Sequence, residues 1–110
     1  MSENKEIALN YFSVFSNKDL EGLAGFFAED VSLRDWELNS YGKEAVLTAI
    51  KNIFDAVNKI EIEPVLLVEE EDYVAAQIKI LINNQESLHV IDLLKFNSDR
   101  KISSIVAFKG

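Results

Sequence analysis

The most constraining feature of the chain is a change in hydrophobic period near residue 60. Before that point, apolar residues recur every three or four positions in three segments, which predicts three amphipathic helices. From Ile60 onward, apolar and polar residues alternate in several segments, which is typical of strands. Helices followed by a run of strands predict an α+β fold with the helices on one face of a sheet.

The predicted elements follow from these periods and from the residues that interrupt them. Helices are expected over 4–16, from an Asp19 N-cap through Phe27, and over 43–57. One strand is expected early, at Val31–Trp36, and four follow, at Ile60–Glu63, Tyr73–Ile82, Leu88–Phe96 and Ile102–Phe108. Turns at 83–86 and 97–100 make the sheet mostly antiparallel. Pro64 indicates an edge strand or a bulge, and the face expected to point at the helices carries Val74, Ile78, Leu88, Val90 and Leu94.

Composition narrows the classes of function. At 110 residues the chain has room for one domain, spanning 1–110, and its 48% hydrophobic content can fill a core. With no cysteine and one histidine, thiolate chemistry is excluded, and we expect no metal site and no cofactor. A net charge of -8 disfavours nucleic acid and anionic membrane as partners. Residues 1–6 lack the pattern of a signal peptide, so we expect a cytoplasmic protein.

Three polar residues share a face with apolar ones. Asp92 is in phase with four large apolar residues of its strand, Asp35 with two of its own, and Tyr11 lies on the apolar side of the first helix. Burial raises the pKa of a carboxyl, and a buried tyrosine hydroxyl normally needs a partner, so the three together predict an acid/base set in an apolar cavity. Taken singly, each has a structural alternative: an inward aspartate often fixes a loop or bulge, and a helical tyrosine usually belongs to the core. Asp35 is also close enough to a strand end to reach water.

The opposite face of the strand that carries Asp92 is apolar as well. Ile91 and Leu93 alternate with the inward residues, so this strand is expected to be covered on both sides. This pattern predicts a homodimer formed through the outer face of the sheet.

Several short motifs, spread along the chain, form one pattern when they are taken together. They are Tyr11, Asp19-Leu20-x-Gly22, Phe27-Ala28-x-Asp30, Gly42, Val90-Ile91-Asp92-Leu93-Leu94-Lys95-Phe96 and Lys101-Ile102-Ser103-Ser104-Ile105. In these motifs, which cover nearly the whole chain, the sequence resembles the nuclear transport factor 2-like superfamily, including the SnoaL-like polyketide cyclases and the ketosteroid isomerases. The resemblance implies a cone-shaped fold in which three N-terminal helices pack on a strongly curved, mostly antiparallel sheet and enclose an apolar pocket.

The resemblance also implies roles for the three polar residues. Asp35, Tyr11 and Asp92 fall on catalytic positions of the ketosteroid isomerases. By this resemblance Asp35 would be the general base, Tyr11 one oxyanion donor, and Asp92 a second donor that stays a neutral acid. The sequence departs from those enzymes at Trp36, where they usually have proline, and in its third helix, which lacks their additional tyrosine.

The function implied is a small-molecule enzyme of the SnoaL-like or ketosteroid isomerase-like type, which transfers a proton on an apolar carbonyl compound. The catalytic residues would be Asp35, Tyr11 and Asp92, and the residues expected to contact the ligand are Phe15, Trp36, Phe54, Val90 and Leu94. The alternative is a non-catalytic protein that binds a hydrophobic ligand, or a dimerising accessory domain, because a fold does not fix a function.

Overall fold

A computed structural model describes residues 3–110 as three helices and six strands. In chain order these are α1 (Glu3–Ser16), α2 (Leu20–Ala24), β1 (Phe27–Arg34), β2 (Asn39–Tyr41), α3 (Lys43–Ala56), β3 (Ile60–Glu70), β4 (Tyr73–Ile82), β5 (Glu86–Phe96) and β6 (Ile102–Lys109). None of the helices in this range is long and apolar enough to cross a bilayer.

The six strands form one sheet in the order β2-β1-β6-β5-β4-β3. Only the pairing of β1 with β6 is parallel, so the sheet is mostly antiparallel, as predicted. Register shifts interrupt the β1–β6, β3–β4 and β5–β6 ladders, and such bulges bend and twist the strands that contain them. The result is the curved, open sheet of an α+β fold, which confirms the predicted fold class.

The helices cover the inner face of this sheet. Helix α1 buries Ala8, Tyr11, Phe12 and Phe15, which lie at helical spacing on one side. Its last residue fixes it to the sheet, because the Ser16 hydroxyl donates to the Phe12 carbonyl (2.9 Å) and accepts from the Ile62 backbone N–H (2.8 Å). A cavity lies between these helices and the inner face of the sheet.

The first strand begins earlier than the sequence pattern predicted. Helix α2 ends at Ala24, and β1 starts at Phe27 instead of Val31. The cause is a partner distant in the sequence: the Ile102 N–H donates to the Phe26 carbonyl at 2.8 Å, and the Lys101 ammonium donates to the Gly25 carbonyl at 2.7 Å. Pairing with β6 therefore draws this segment out of the predicted helix.

Two other boundaries differ from the prediction. Strand β1 ends at Arg34, so Asp35 and Trp36 lie beyond it, and the segment between β1 and α3 contains a short strand, β2, that was not predicted. Strand β3 continues to Glu70, past the predicted end at Glu63, because it pairs with β4 along its whole length. As predicted, Pro64 lies on an edge strand and at a bulge.

Gly42 occupies a backbone conformation that other residues rarely adopt. It caps the N-terminus of α3 with φ 93° and ψ 148°, and its N–H donates to the Val31 carbonyl at 2.7 Å. A Cβ placed there meets no atom within 4 Å, so a side chain would cost backbone strain and not a clash.

We expect Gly42→Ala to lower the free energy of unfolding by about 1–3 kcal/mol. Gly25→Ala is the matched control, because Gly25 has φ -69° and its added Cβ would make only an ordinary contact, 3.6 Å from the Gly22 carbonyl. Urea denaturation of both variants measures the difference. Equal losses in the two variants would contradict the strain at Gly42.

Candidate functional site

A cavity of about 440 Å³ lies between the inner face of the sheet, helices α1 and α3, and the turn that follows β1. Its wall is mostly aliphatic, with Leu33, Leu38, Ile50, Ile53, Ile60, Ile62, Ile78, Ile80, Ile82, Leu88, Val90, Ile105 and Ala107. Tyr11, Asp35 and Asp92 all line this cavity. The structure thus brings together the three polar residues that share a face with apolar residues in the sequence pattern.

Tyr11 enters the cavity from α1 within a cluster of aromatic rings. The Phe12, Phe15, Phe26 and Phe27 rings lie 5.4–6.0 Å from its own, centroid to centroid. Only 4% of the residue is exposed. Burial raises the pKa of the Tyr11 hydroxyl well above its ordinary value, and the nearby Asp92 carboxylate raises it further. The hydroxyl is therefore protonated at neutral pH and available as a hydrogen-bond donor.

Asp92 lies on the inner face of β5 between two alanines. Its register partners are Ala76 on β4 and Ala107 on β6, two small side chains of which Ala107 also lines the cavity. The residue is 8% exposed. Desolvation by burial raises the pKa of Asp92 to about 7, with a smaller contribution from the Asp35 charge. Asp92 is thus a carboxylic acid that can be neutral, and can donate a proton, near physiological pH.

Asp35 follows β1 and organises the turn that closes this side of the cavity. Its Oδ1 accepts the backbone N–H groups of Glu37 (2.7 Å) and Leu38 (2.6 Å), and its own N–H donates to the Leu38 carbonyl (3.0 Å). This side-chain-to-backbone turn ends the strand one residue before Asp35. Asp35 therefore combines the two roles that the sequence allowed. Its Oδ1 fixes the turn, as in the structural alternative, whereas its Oδ2 makes no hydrogen bond within the described residues and is available at the cavity wall.

The polar groups at the inner end of the cavity face open space. Within residues 3–110, no buried side-chain nitrogen or oxygen is sealed off without a hydrogen-bond partner. The Tyr11 hydroxyl and the Asp92 carboxyl take part in none of the side-chain hydrogen bonds of this range, so both retain access to the cavity. Two donors beside one carboxylate can bind a carbonyl oxygen and move a proton next to it.

Three of the five residues predicted to contact a ligand line the cavity, and two do not. Phe15, Trp36 and Val90 belong to its wall, whereas Phe54 and Leu94 do not. The Phe54 ring packs edge-on against Phe15, with centroids 5.0 Å apart, and so supports the wall from behind. Leu94 is wholly buried one pleat beyond Asp92, where the inner face of β5 has passed from the cavity into the core.

Sequence reasoning missed the charged residues at the mouth of the cavity, Glu37, Glu86 and Lys109. Lys109 could have been found, because it continues the alternation of Ile105 and Ala107 on β6, which was predicted to stop at Phe108. Nothing else in the C-terminal part of the sequence indicated this residue.

In residues 3–110, no group of three or more His, Cys, Asp or Glu side chains is arranged to hold a metal ion.

The raised pKa of Asp92 predicts a pH-dependent stability. Between the ordinary aspartate pKa of 3.8 and about 7, the folded chain holds a proton that the unfolded chain releases. Stability contributed by this group is therefore complete below about pH 4 and is lost as the pH rises towards 7. Asp92→Asn cannot ionise, so it should gain in stability relative to the wild type across this window, by at most about 1.4 kcal/mol per pH unit.

Urea denaturation of both proteins at pH 5, 6, 7 and 8 tests this expectation, because the other carboxylates cancel in the difference. The difference should grow up to about pH 7 and then level off. A difference that is constant over this range would mean that Asp92 titrates normally in the folded chain.

Comparisons with known proteins place this geometry among related folds. The structure of a proposed isomerase of the SnoaL-like family from Agrobacterium tumefaciens superposes with a TM-score of 0.86 at 14% identity, covering 100% of this chain and 99% of that one. A proposed ketosteroid isomerase from Kribbella flavida gives 0.86 at 17% identity, covering 100% and 79%. The epoxide hydrolase/cyclase-like enzyme SalBIII, described in pyran ring formation in polyether salinomycin, gives 0.86 at 21%, covering 99% and 92%.

At these identities the solved structures establish the fold alone. No curated protein matches the chain significantly by sequence. The SnoaL-like domain family, by contrast, matches residues 8–105, which is nearly the entire chain. The protein therefore belongs to the SnoaL-like domain family.

Proposed function

We propose that the protein is a small-molecule enzyme that transfers a proton on an apolar carbonyl compound, in the manner of a ketosteroid isomerase-like isomerase or a SnoaL-like cyclase. The observation that supports this proposal is the presence of Tyr11, Asp35 and Asp92 in one largely apolar cavity. A solvated surface carboxylate cannot act in this way, because water competes for every hydrogen bond and weakens each charge.

The proposed step is the removal of a proton from the carbon next to the carbonyl group. The C–H bond breaks, its proton passes to Asp35, and the electron pair moves into the substrate so that the carbonyl oxygen becomes an enolate oxygen. Tyr11 and neutral Asp92 donate hydrogen bonds to this oxygen. In an isomerisation, the substrate also carries a C=C bond next to the deprotonated carbon, and Asp35 returns the proton to the far carbon of that bond while the enolate oxygen becomes a carbonyl oxygen again. In a ring closure, the enolate carbon instead attacks a second carbonyl group of the substrate, and Asp35 gives the proton to the alkoxide oxygen formed there.

The geometry of Asp35 limits which oxygen can accept the proton. Oδ1 accepts two backbone N–H groups of the following turn. Oδ2 makes no such contact, so it is the oxygen we assign to proton transfer. Because Oδ1 remains fixed, the base keeps its orientation when its charge changes during the reaction.

Deuterium exchange provides a test that needs no known product. We expect the wild type, in D₂O, to exchange the protons beside the carbonyl of a 3-keto steroid or of a polyketide-like aromatic ketone, followed by NMR. Asp35→Asn should keep the turn through its amide oxygen but lose the exchange by roughly 10²–10⁴-fold. Tyr11→Phe, which removes one oxyanion donor, should lose roughly 10²–10³-fold.

Asp30→Asn is the control for the loss of one carboxylate, since Asp30 is exposed on β1 and does not line the cavity. Its exchange rate should equal that of the wild type. Equal exchange by wild type and Asp35→Asn would refute Asp35 as the base. Binding of the ketones without any exchange would favour the non-catalytic ligand-binding alternative.

We also propose that the protein forms a homodimer through the outer face of the sheet. Across the strands, Leu66, Gln77, Ile91 and Phe108 lie in register on this face, and its apolar members are among the exposed large hydrophobic residues of the described chain. A second row, Val68, Ala75, Leu93 and Val106, runs beside the first. A contiguous apolar face of this kind is typical of a surface that a second copy covers.

We expect Ile91→Glu to shift the protein from dimer to monomer at micromolar concentration, because each two-fold interface would bury two new carboxylates. Leu9→Glu on α1 is a closely matched control, since Leu9 is 44% exposed and Ile91 is 43% exposed. Sedimentation velocity distinguishes the two variants. A wild type that is monomeric at this concentration would disprove the interface.

A further inference from the structure

Lys109 is a cation on the inner face of the sheet. It pairs with Val90 in the β5–β6 ladder, and directly paired residues project from the same side of a sheet. Val90 faces the cavity, and Lys109 accordingly lines it too, in line with Ile105 and Ala107. Among the described residues that line this cavity, Lys109 is the one lysine or arginine.

Trp36 holds the Lys109 ammonium in place without neutralising it. The Lys109 nitrogen lies over the Trp36 ring, 5.4 Å from its centroid, which is within the range of a cation–π interaction. The ring face orients the ammonium but accepts no conventional hydrogen bond, so N–H donors remain for another partner. Within residues 3–110, Lys109 takes part in no ion pair.

Three carboxylates line the same cavity without pairing with Lys109. Glu37 and Glu86 are exposed, so water and salt screen their charges. Asp35 is oriented by its own turn. Lys109 is itself exposed and is paired with none of these acids, so its ammonium is available to an anionic group of a ligand at the mouth of the cavity.

The positions of Lys109 and Asp92 on the sheet give the cavity two polar ends. Asp92 and Val90 are two residues apart on β5, which separates their backbone positions by about 7 Å. The Lys109 side chain extends from the second of these levels towards the exposed ring of Trp36. A ligand that spans the cavity would meet neutral donors at the inner end and a cation at the mouth.

We propose that Lys109, oriented by Trp36, binds a carboxylate on the outer end of the substrate. The substrate class is then an apolar ring compound with a carbonyl group at one end and a carboxylate at the other. This proposal rests on the proposed function, since it assumes that the carbonyl end lies between Tyr11 and Asp92.

Three naphthalene compounds test the proposal because they share one apolar body. 2-Naphthol carries only a hydroxyl, which would take the place of the enolate oxygen. 6-Hydroxy-2-naphthoic acid adds a carboxylate at the far end, and its methyl ester adds a neutral group of similar shape. Calorimetric titration at pH 6, where Asp92 is mostly neutral, gives a Kd for each compound.

We expect the wild type to bind the acid roughly two- to fivefold more tightly than the ester, as for an exposed ion pair. This preference should disappear in Lys109→Met and persist in Lys109→Arg, and in the wild type it should weaken as salt is added. Lys95→Met is the matched control, because Lys95 lies over the Tyr73 ring, 5.7 Å from its centroid, but does not line the cavity. It should leave the preference unchanged.

The outcomes separate this inference from the proposed function. Equal binding of acid and ester by the wild type, or a preference that survives in Lys109→Met or is lost equally in Lys95→Met, would overturn the role of Lys109 alone. If 2-naphthol binding does not weaken in Tyr11→Phe, the placement of the carbonyl end is wrong, and the proposed substrate class falls with it even if Lys109 binds the carboxylate. If none of the three compounds binds, both proposals fail.

Discussion

The desolvation of one carboxyl group is the constraint on which the site depends. Asp92 lies where the inner face of β5 passes from cavity to core, with apolar residues before and after it on the same face. Leaving a carboxylate ionised there costs more than keeping it protonated, so the pKa rises until the neutral acid is accessible. Ala107, the β6 partner of Asp92, also lines the cavity, and its small side chain leaves the carboxyl in contact with the open space. A larger residue at position 107 would fill part of this space.

A few polar contacts between distant parts of the chain fix the helix ends to the sheet, to its turns and to one another. Ser16 joins the end of α1 to β3, and the Lys18 ammonium donates to the Val57 carbonyl at the C-terminus of α3, at 2.7 Å. At the other end of α1, the Arg100 guanidinium binds Asn4 (3.1 Å) and Glu3 (2.9 Å). With the helices fixed at their ends, their central side chains do not have to meet the sheet everywhere, and the space below Tyr11 remains.

Local patterns in the sequence were sufficient for the elements whose partners are close in the chain. Helix α3 and strands β4 to β6 follow directly from their hydrophobic periods, and the hairpin at Asn83 and Asn84 uses the positive φ values, 55° and 57°, that asparagine tolerates. The start of β1 and the existence of β2 were not predictable in this way. The start of β1 depends on pairing with a strand some 75 positions later, a partner that no local period records. Strand β2 pairs with the nearby β1, but its three residues, Asn39–Tyr41, are too few to show an alternating pattern.

The site residues also divide into those that local sequence patterns predict and those that they do not. Alternation placed Asp92 on an inward face and helical spacing did the same for Tyr11, because each residue lies within a regular element. For Asp35 the same alternation led to a strand that continued to Trp36, whereas the aspartate side chain ends that strand by bonding the backbone ahead of it. Phe54 and Leu94 also point inward, but they belong to the core and do not line the cavity. A sequence pattern identifies inward-facing residues, and only the three-dimensional packing shows which of them reach the cavity. Lys109, the cation at the mouth of the cavity, was missed because the last strand was predicted to end one residue too early, at Phe108.

Under the proposed mechanism, the proximity of Asp35 and Asp92 has a further consequence for the charge of the cavity. Before reaction, the inner part of the cavity holds one negative charge, on Asp35, and its field helps to keep Asp92 protonated. When Asp35 accepts the substrate proton, that charge moves to the enolate oxygen, which Tyr11 and Asp92 contact. One negative charge is present throughout, so no step requires the apolar wall to accommodate a second. A neutral donor at Asp92 is what permits this, since an ionised Asp92 would repel the enolate at the point where stabilisation is needed.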